Sequence, residues 1–134
     1  MLNLKFSYKN VYFYKCNNLV DCEILDFVDK KDFLEAVIDG NYDNQIDYIF
    51  HQAAISDTTV SEQDLMIKTN VNAYEDLLKI AIKHKANMIY ASSAATYGDS
   101  NKFEVGYEQP NNAYGFSKVM MDNITYEYLK KDLD

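Results

Sequence analysis

At 134 residues the chain has room for one domain at most, and its 48% hydrophobic content suits a packed core rather than disorder. A formal net charge of -8 argues against general nucleic-acid binding and against a polybasic membrane anchor, because phosphate surfaces attract Lys and Arg. Cys16 and Cys22 do not form CxxC and have no histidine at ligand spacing, which argues against zinc.

Residues 1–10 lack the apolar core of a signal peptide, and no apolar run reaches membrane-spanning length. A reduced, cytoplasmic setting is therefore the expectation. The four glycines begin only at Gly40, which is unusual if a glycine-rich phosphate loop is sought.

Residues 1–17 show no clean periodicity and stand as an unassigned lead-in; residues 18–134 carry the readable pattern. Residues 22–27 predict a short strand. Asp29 then offers an N-cap, with Asp32 three residues on as a weak capping box. Phe33, Leu34, Val37 and Ile38 follow at helical spacing, and Gly40 supplies the stop. After a polar turn, Ile46 to Ala54 predict a strand buried on both faces. Residues 55–60 read as the loop at its carboxyl end. Ser61 with Asp64 is the expected cap of a helix that Leu65, Ile67, Val71, Leu77, Leu78 and Ile80 to Ile82 carry to about Lys85.

Residues 86–93 predict another buried strand, ended by a loop around Gly98. A polar insertion from Asp99 to Asn112 contains the single Pro110. The last helix is predicted from near Tyr114, with Val119, Met120, Ile124, Tyr128 and Leu129 as its apolar stripe. Strands and helices alternate without hairpin signals. This predicts an α/β fold, an incomplete Rossmann-like doubly wound parallel sheet. Ligands of such sheets sit at the carboxyl ends of the strands, here near Gln52 to Thr59 and Ser92 to Tyr97.

Four constellations carry chemistry. Tyr114 and Lys118 stand four apart, on one helix face. An ammonium near a phenol favours the phenolate, which makes a tyrosine a usable acid/base. Alone, YxxxK equally describes an exposed helical pair. Ser92 and Ser93 close a strand, where a hydroxyl can reach a substrate oxygen, although serine is common at such transitions. His51-Gln52-Ala53-Ala54 puts small residues at a strand end, open to a flat ligand; the lone His51 reads as structural, and Asn70 inside the next helix reads equally as an asparagine bonding its own backbone. Asp26-Phe27 ends the first strand, where an acid can accept from an adenine amino group or simply face solvent.

The strings IFHQAAISDTT (49–59), IYASSAATYGD (89–99) and NAYGFSKVMMD (112–122) resemble successive signatures of extended short-chain dehydrogenase/reductases. Together with NLVDCEILDFVDKKDFL (18–34), they resemble one branch best, the ADP-L-glycero-D-manno-heptose 6-epimerases. The resemblance runs from about residue 18 to the C-terminus.

It implies that Tyr114 is the acid/base, that Lys118 holds the nicotinamide ribose and depresses the phenol, and that Ser93 bonds the reacting oxygen. It implies that Asp26 and Phe27 flank the adenine, with Lys30 on the adenosine side. Gln52, Ala53, Ala54, Ile55 and Ser56 would line the cofactor, and Asn70 would orient that loop or the Lys118 region. The implied reaction inverts C6 of an ADP-heptose by transient oxidation with bound NADP, NAD being possible, and feeds lipopolysaccharide core synthesis.

The sequence departs from this pattern in lacking the G-x-x-G-x-x-G turn, and it stops at Asp134, near the end of the YxxxK helix. The expectation is a fragment, inactive by itself, with unpaired strand edges and exposed apolar faces, hence a homo-oligomer or one part of a complementing pair. Other branches stay open: a hexose 4-epimerase, a sugar-nucleotide dehydratase, or a non-catalytic remnant. The dehydratases place acids after the serine strand, whereas Ala94-Ala95-Thr96-Tyr97 stands here.

Overall fold

A computed structural model describes residues 4–6, 24–43, 45–59 and 62–131, without the side chains of 4–6, 24–27 and 30–31. The chain divides into two compact units, Met1–Gln45 and Ile46–Asp134.

In the first unit, β1 (Leu4–Phe6) pairs in parallel with β2 (Ile24–Phe27), with Lys5 opposite Asp26 and Phe6 opposite Phe27. Three residues of the stretch that the sequence pattern leaves unassigned are therefore strand. Alternation over three residues is too short to register as a period. Helix α1 (Lys30–Ile38) follows; the Phe33 N–H donates to the Asp29 carbonyl at 2.8 Å, so the helix starts where the Asp29 signal places it. Val37 is its buried apolar residue. Gly40 adopts φ 79°, the left-handed geometry of a helix stop.

In the second unit, β3 (Tyr48–His51) and β4 (Asn87–Tyr90) pair in parallel without irregularity, from Tyr48 opposite Asn87 to His51 opposite Tyr90. Three helical segments run between them without a break: α2 (Gln63–Met66), a π-helical segment (Ile67–Asn72) and α3 (Ala73–His84). Glu62 holds the N-cap position and makes no side-chain capping bond; the expected cap, Ser61, lies outside the described residues. The helix ends on Lys85 in left-handed geometry (φ 55°). Beyond β4, a 3₁₀ turn (Ala94–Thr96) leads through the insertion to α4 (Ala113–Lys131).

Met66, Val71, Tyr74, Ala81 and Met121 form the apolar core of this unit. Tyr74 ties three elements together: its ring lies 4.8 Å from that of Tyr90, and its hydroxyl meets Thr125 on α4. The sheet is covered on one face only. Tyr48, Phe50 and Ile89 are 57%, 38% and 57% exposed, while His51 is buried. The expectation of strands buried on both faces is therefore corrected: the apolar run supplies side chains for two faces, but helices cover one. No helix among the described residues is long and apolar enough to cross a membrane.

Candidate active site

Lys118 is the most unusual residue of the second unit. It is 2% exposed, yet it forms no ion pair among the described residues. Its ammonium donates one hydrogen bond, to the Ala91 carbonyl at 2.6 Å. Burial drives its pKa down from the ordinary lysine value, and Asp122 opposes that shift. An ammonium has three donors, so two have no partner among the described residues. The nitrogen stands 5.8 Å from the centroid of the Tyr114 ring, one turn earlier on α4.

Local chemistry fixes that turn. The Gly115 N–H donates to Asn112 Oδ1 at 2.8 Å, so Asn112 is the N-cap of α4. Ser93 has extended backbone, and its hydroxyl accepts from the Ala95 N–H at 3.2 Å, capping the 3₁₀ turn. Two residues upstream is Ala91, the partner of Lys118. Thus Lys118 ties α4 to the end of β4, and Gly115 sets its first turn against the 3₁₀ turn that follows Ser93.

Asn70 is fully buried in the π-helical segment. Its Oδ1 accepts from the Ile55 N–H at 2.8 Å, and its Nδ2 donates to the Ile55 carbonyl at 3.0 Å. The same Nδ2 lies 3.1 Å from Ser117 Oγ, which in turn donates to the Tyr114 carbonyl at 2.7 Å. The reading of Asn70 as an asparagine bonding its own backbone is thereby corrected. Its side chain joins the loop after β3 to the first turn of α4, and the widened π turn is the local irregularity that such sites often carry. Within that loop Gln52, Ala53 and Ser56 are exposed, while Ala54 and Ile55 are half-buried.

Asp26 and Phe27 end β2 and Lys30 opens α1; their side chains lie outside the described residues. A groove of about 590 Å³ includes Ser92, Ser93, Tyr97, Glu108 and Asp122 in its wall. Neither Tyr114 nor Lys118 lines it, and no cation does, so it offers nothing to neutralise a diphosphate. Among the described residues no cluster of His, Cys, Asp and Glu could hold a metal.

His51 sits buried at the end of β3, its ring 5.7 Å from that of Tyr74, and its Nε2 has no hydrogen-bond partner among the described residues. Burial, and after it the Lys118 charge, push the imidazole below its ordinary 6.5. The unfolded chain therefore protonates His51 before the folded chain does. Stability from this residue is complete above about pH 6.5 and falls as the pH drops from there toward the folded value. Urea unfolding of the chain and of His51→Phe, at about pH 8 and about pH 5, should show a larger acid loss for the natural sequence. Equal losses would mean that His51 already carries its proton in the fold.

Residues 7–133 match the model of the NAD dependent epimerase/dehydratase family. The chain belongs to that family. Similar solved structures include the ADP-L-glycero-D-manno-heptose-6-epimerase of Helicobacter pylori, 38% identical, with a TM-score of 0.71 over 84% of this chain and 36% of that one. A dTDP-glucose 4,6-dehydratase double mutant from Streptomyces venezuelae, solved with NAD, is 22% identical, with a TM-score of 0.76 over 96% and 42%. The UDP-glucuronic acid 4-epimerase of Bacillus cereus, also solved with NAD, is 21% identical, with a TM-score of 0.69 over 87% and 39%. At such identities the last two show the fold alone: a Rossmann fold with a parallel sheet. The chain spans 36% to 42% of the length of these three structures. The family match begins upstream of residue 18, where the resemblance by motif starts.

Two glycines of this epimerase/dehydratase-family chain shape the loop around Ser93. Gly98 has φ 51°, and a Cβ there would stand 1.9 Å from the Gln109 carbonyl oxygen, so Gly98 closes the insertion loop. A Cβ on Gly115 would stand 2.3 Å from the Ala95 carbonyl oxygen and 3.2 Å from Pro110 Cβ. This close approach docks Tyr114's helix on the 3₁₀ turn after Ser93. Gly115→Ala forces the two apart and should lower unfolding stability by about 1–3 kcal/mol. An unchanged urea midpoint would contradict the close approach. The Asn112 cap is the residue that periodicity does not reveal; an asparagine directly before the first helical residue is the available signal for it.

Proposed function

We propose that the chain is the nicotinamide-side portion of a nucleotide-sugar epimerase that inverts C6 of an ADP-heptose with NADP. The observation that carries this is Lys118: a buried ammonium, one hydrogen bond, two donors unused, beside the Tyr114 ring. A buried charge left so poorly partnered is unfavourable in a purely structural role, and it marks a site where a ligand completes the set.

The donor set suits the ribose end of a nicotinamide dinucleotide. Lys118 can donate to two ribose hydroxyls, and Gln52 and Ala53, at the end of β3, are exposed and open to a ligand. The sequence contains no glycine-rich turn for a pyrophosphate, so the fit concerns this end alone. When bound, the nicotinamide supplies a reversible hydride acceptor. Tyr114 removes the proton of the C6 hydroxyl and later returns it. Ser93 donates to the same oxygen and holds it against the phenol. Lys118 orients the ribose, and its positive charge favours the phenolate. Asn70 keeps the Gln52–Ser56 loop in register with α4.

Identity of 38% to the H. pylori heptose epimerase, over 84% of the chain, supports the ADP-heptose over other sugar nucleotides. On this reading the product feeds lipopolysaccharide core assembly in the cytoplasm. The exposed Tyr48, Phe50 and Ile89 support a homo-oligomer or a complementing segment as partner. Saturation-transfer NMR with NADP present tests the substrate class. Transfer to ADP-heptose in preference to UDP- and dTDP-hexoses is expected; the reverse preference would overturn the heptose reading.

A further inference from the structure

The carboxylate of Asp122 is divided between two donors. Its Oδ1 accepts from the Tyr90 hydroxyl at 2.7 Å, and its Oδ2 accepts from the Ser92 hydroxyl at 2.8 Å. Side chains two apart on an extended segment point to the same side, so one carboxylate reaches both. The residue between them is Ala91. Its carbonyl accepts from Lys118, and its N–H donates to the His51 carbonyl at 3.1 Å. Asp122 is one turn beyond Lys118 on α4, so the two residues face the same strand end. Burial, and the neighbouring Asp122 charge, hold the Tyr90 phenol well above its ordinary pKa, which keeps it a donor.

We propose that Asp122 is a positioning residue for Lys118: it clamps Tyr90 and Ser92, fixes the Ala91 carbonyl between them, and so sets where the ammonium stands. β4 ends at Tyr90, and Ala91 and Ser92 lie beyond it. Past that point the Ala91 N–H is the one backbone tie to β3 among the described residues, and a free carbonyl there would swing with the loop. The clamp replaces the missing ladder with two hydrogen bonds to a charged acceptor, the stronger kind. It also places a negative charge near a buried ammonium that has no ion-pair partner among the described residues. Asp122 acts on the ligand only through Lys118. The inference rests on Lys118 holding the nicotinamide ribose for its consequence, and on the geometry alone for the clamp.

The test uses the chain labelled with ¹³C at lysine Cε, with the Lys118 signal identified by its loss in Lys118→Met. In Asp122→Asn, Lys118 should lose its proton at lower pH than in the natural sequence. In Ser92→Ala, which removes one arm of the clamp from an exposed serine, the Lys118 Cε should become more mobile. Each variant should weaken NADPH binding about tenfold, the effect of one loosened charge-assisted hydrogen bond. A Lys118 titration and mobility that match the natural chain in both variants would overturn the proposal. If Asp122→Asn fails to fold, the mobility in Ser92→Ala decides. If the natural chain binds no NADPH, the ribose reading fails, while the Lys118 signals still decide whether Asp122 positions it.

Discussion

Lys118→Met should remove most of the chain's affinity for NADPH while leaving its fold intact or slightly firmer. The two effects have one origin. Lys118 is 2% exposed and has a single hydrogen bond, so the folded chain bears the desolvation of an ammonium with little return. Methionine has a similar length, fills the same space, and carries no charge. Replacing a poorly partnered buried charge by an apolar side chain is commonly neutral or stabilising. The bound ligand loses at least one hydrogen bond from a charged donor, worth about 1.5–3 kcal/mol, or about 10- to 150-fold in Kd. Binding is read from NADPH fluorescence and stability from urea unfolding. A variant that unfolds far more easily would mean that Lys118 is held for structure rather than for a ligand.

Asn70→Leu should be among the most damaging single changes in the second unit. Leucine keeps the branched shape of the side chain, is larger, and bonds nothing. It strands the Ile55 N–H and carbonyl, both satisfied by Asn70, and leaves Ser117 without that contact. Each buried group left unpaired costs about 1–3 kcal/mol, so about 2–5 kcal/mol is expected in total. Domains of this size hold about 5–15 kcal/mol, so much of the margin would go. The loop that begins at Gln52 would lose its anchor to α4 at the same time, so NADPH binding should fall with stability. Unfolding within about 0.5 kcal/mol of the natural sequence would show that water replaces the amide without loss.

The legible parts of the fold were those governed by a single local rule. The Asp29 start and Gly40 stop of α1 follow from capping chemistry, and both stand in the structure. The apolar runs around Ile49 and Ile89 signal strands, and both are strands. Their partial exposure was not legible, because a run of apolar residues reports what a strand can bury rather than what covers it. The strand Leu4–Phe6 is too short for a period to be seen, and it is fixed by its partner β2 rather than by its own pattern.

The candidate site divides the same way. Tyr114 and Lys118 share a helix face by spacing alone, and the ring-to-ammonium distance of 5.8 Å follows from it. That Lys118 is buried against Ala91, 27 residues upstream, depends on how α4 packs on β4. Asn70 shows the limit most clearly. A helical asparagine has a local alternative at hand, and only the tertiary arrangement gives it Ile55 and Ser117. In the sequence Asp122 is merely part of the string around YxxxK, because nothing local distinguishes a clamp from a solvated acid.

The most direct test of the central claim is a titration of the purified chain with NADPH, followed by nucleotide fluorescence, alongside Lys118→Met. The account predicts saturable binding by the natural chain and a Kd about 10- to 150-fold weaker in the variant. Absence of binding by the natural chain, or equal binding by both, would contradict it.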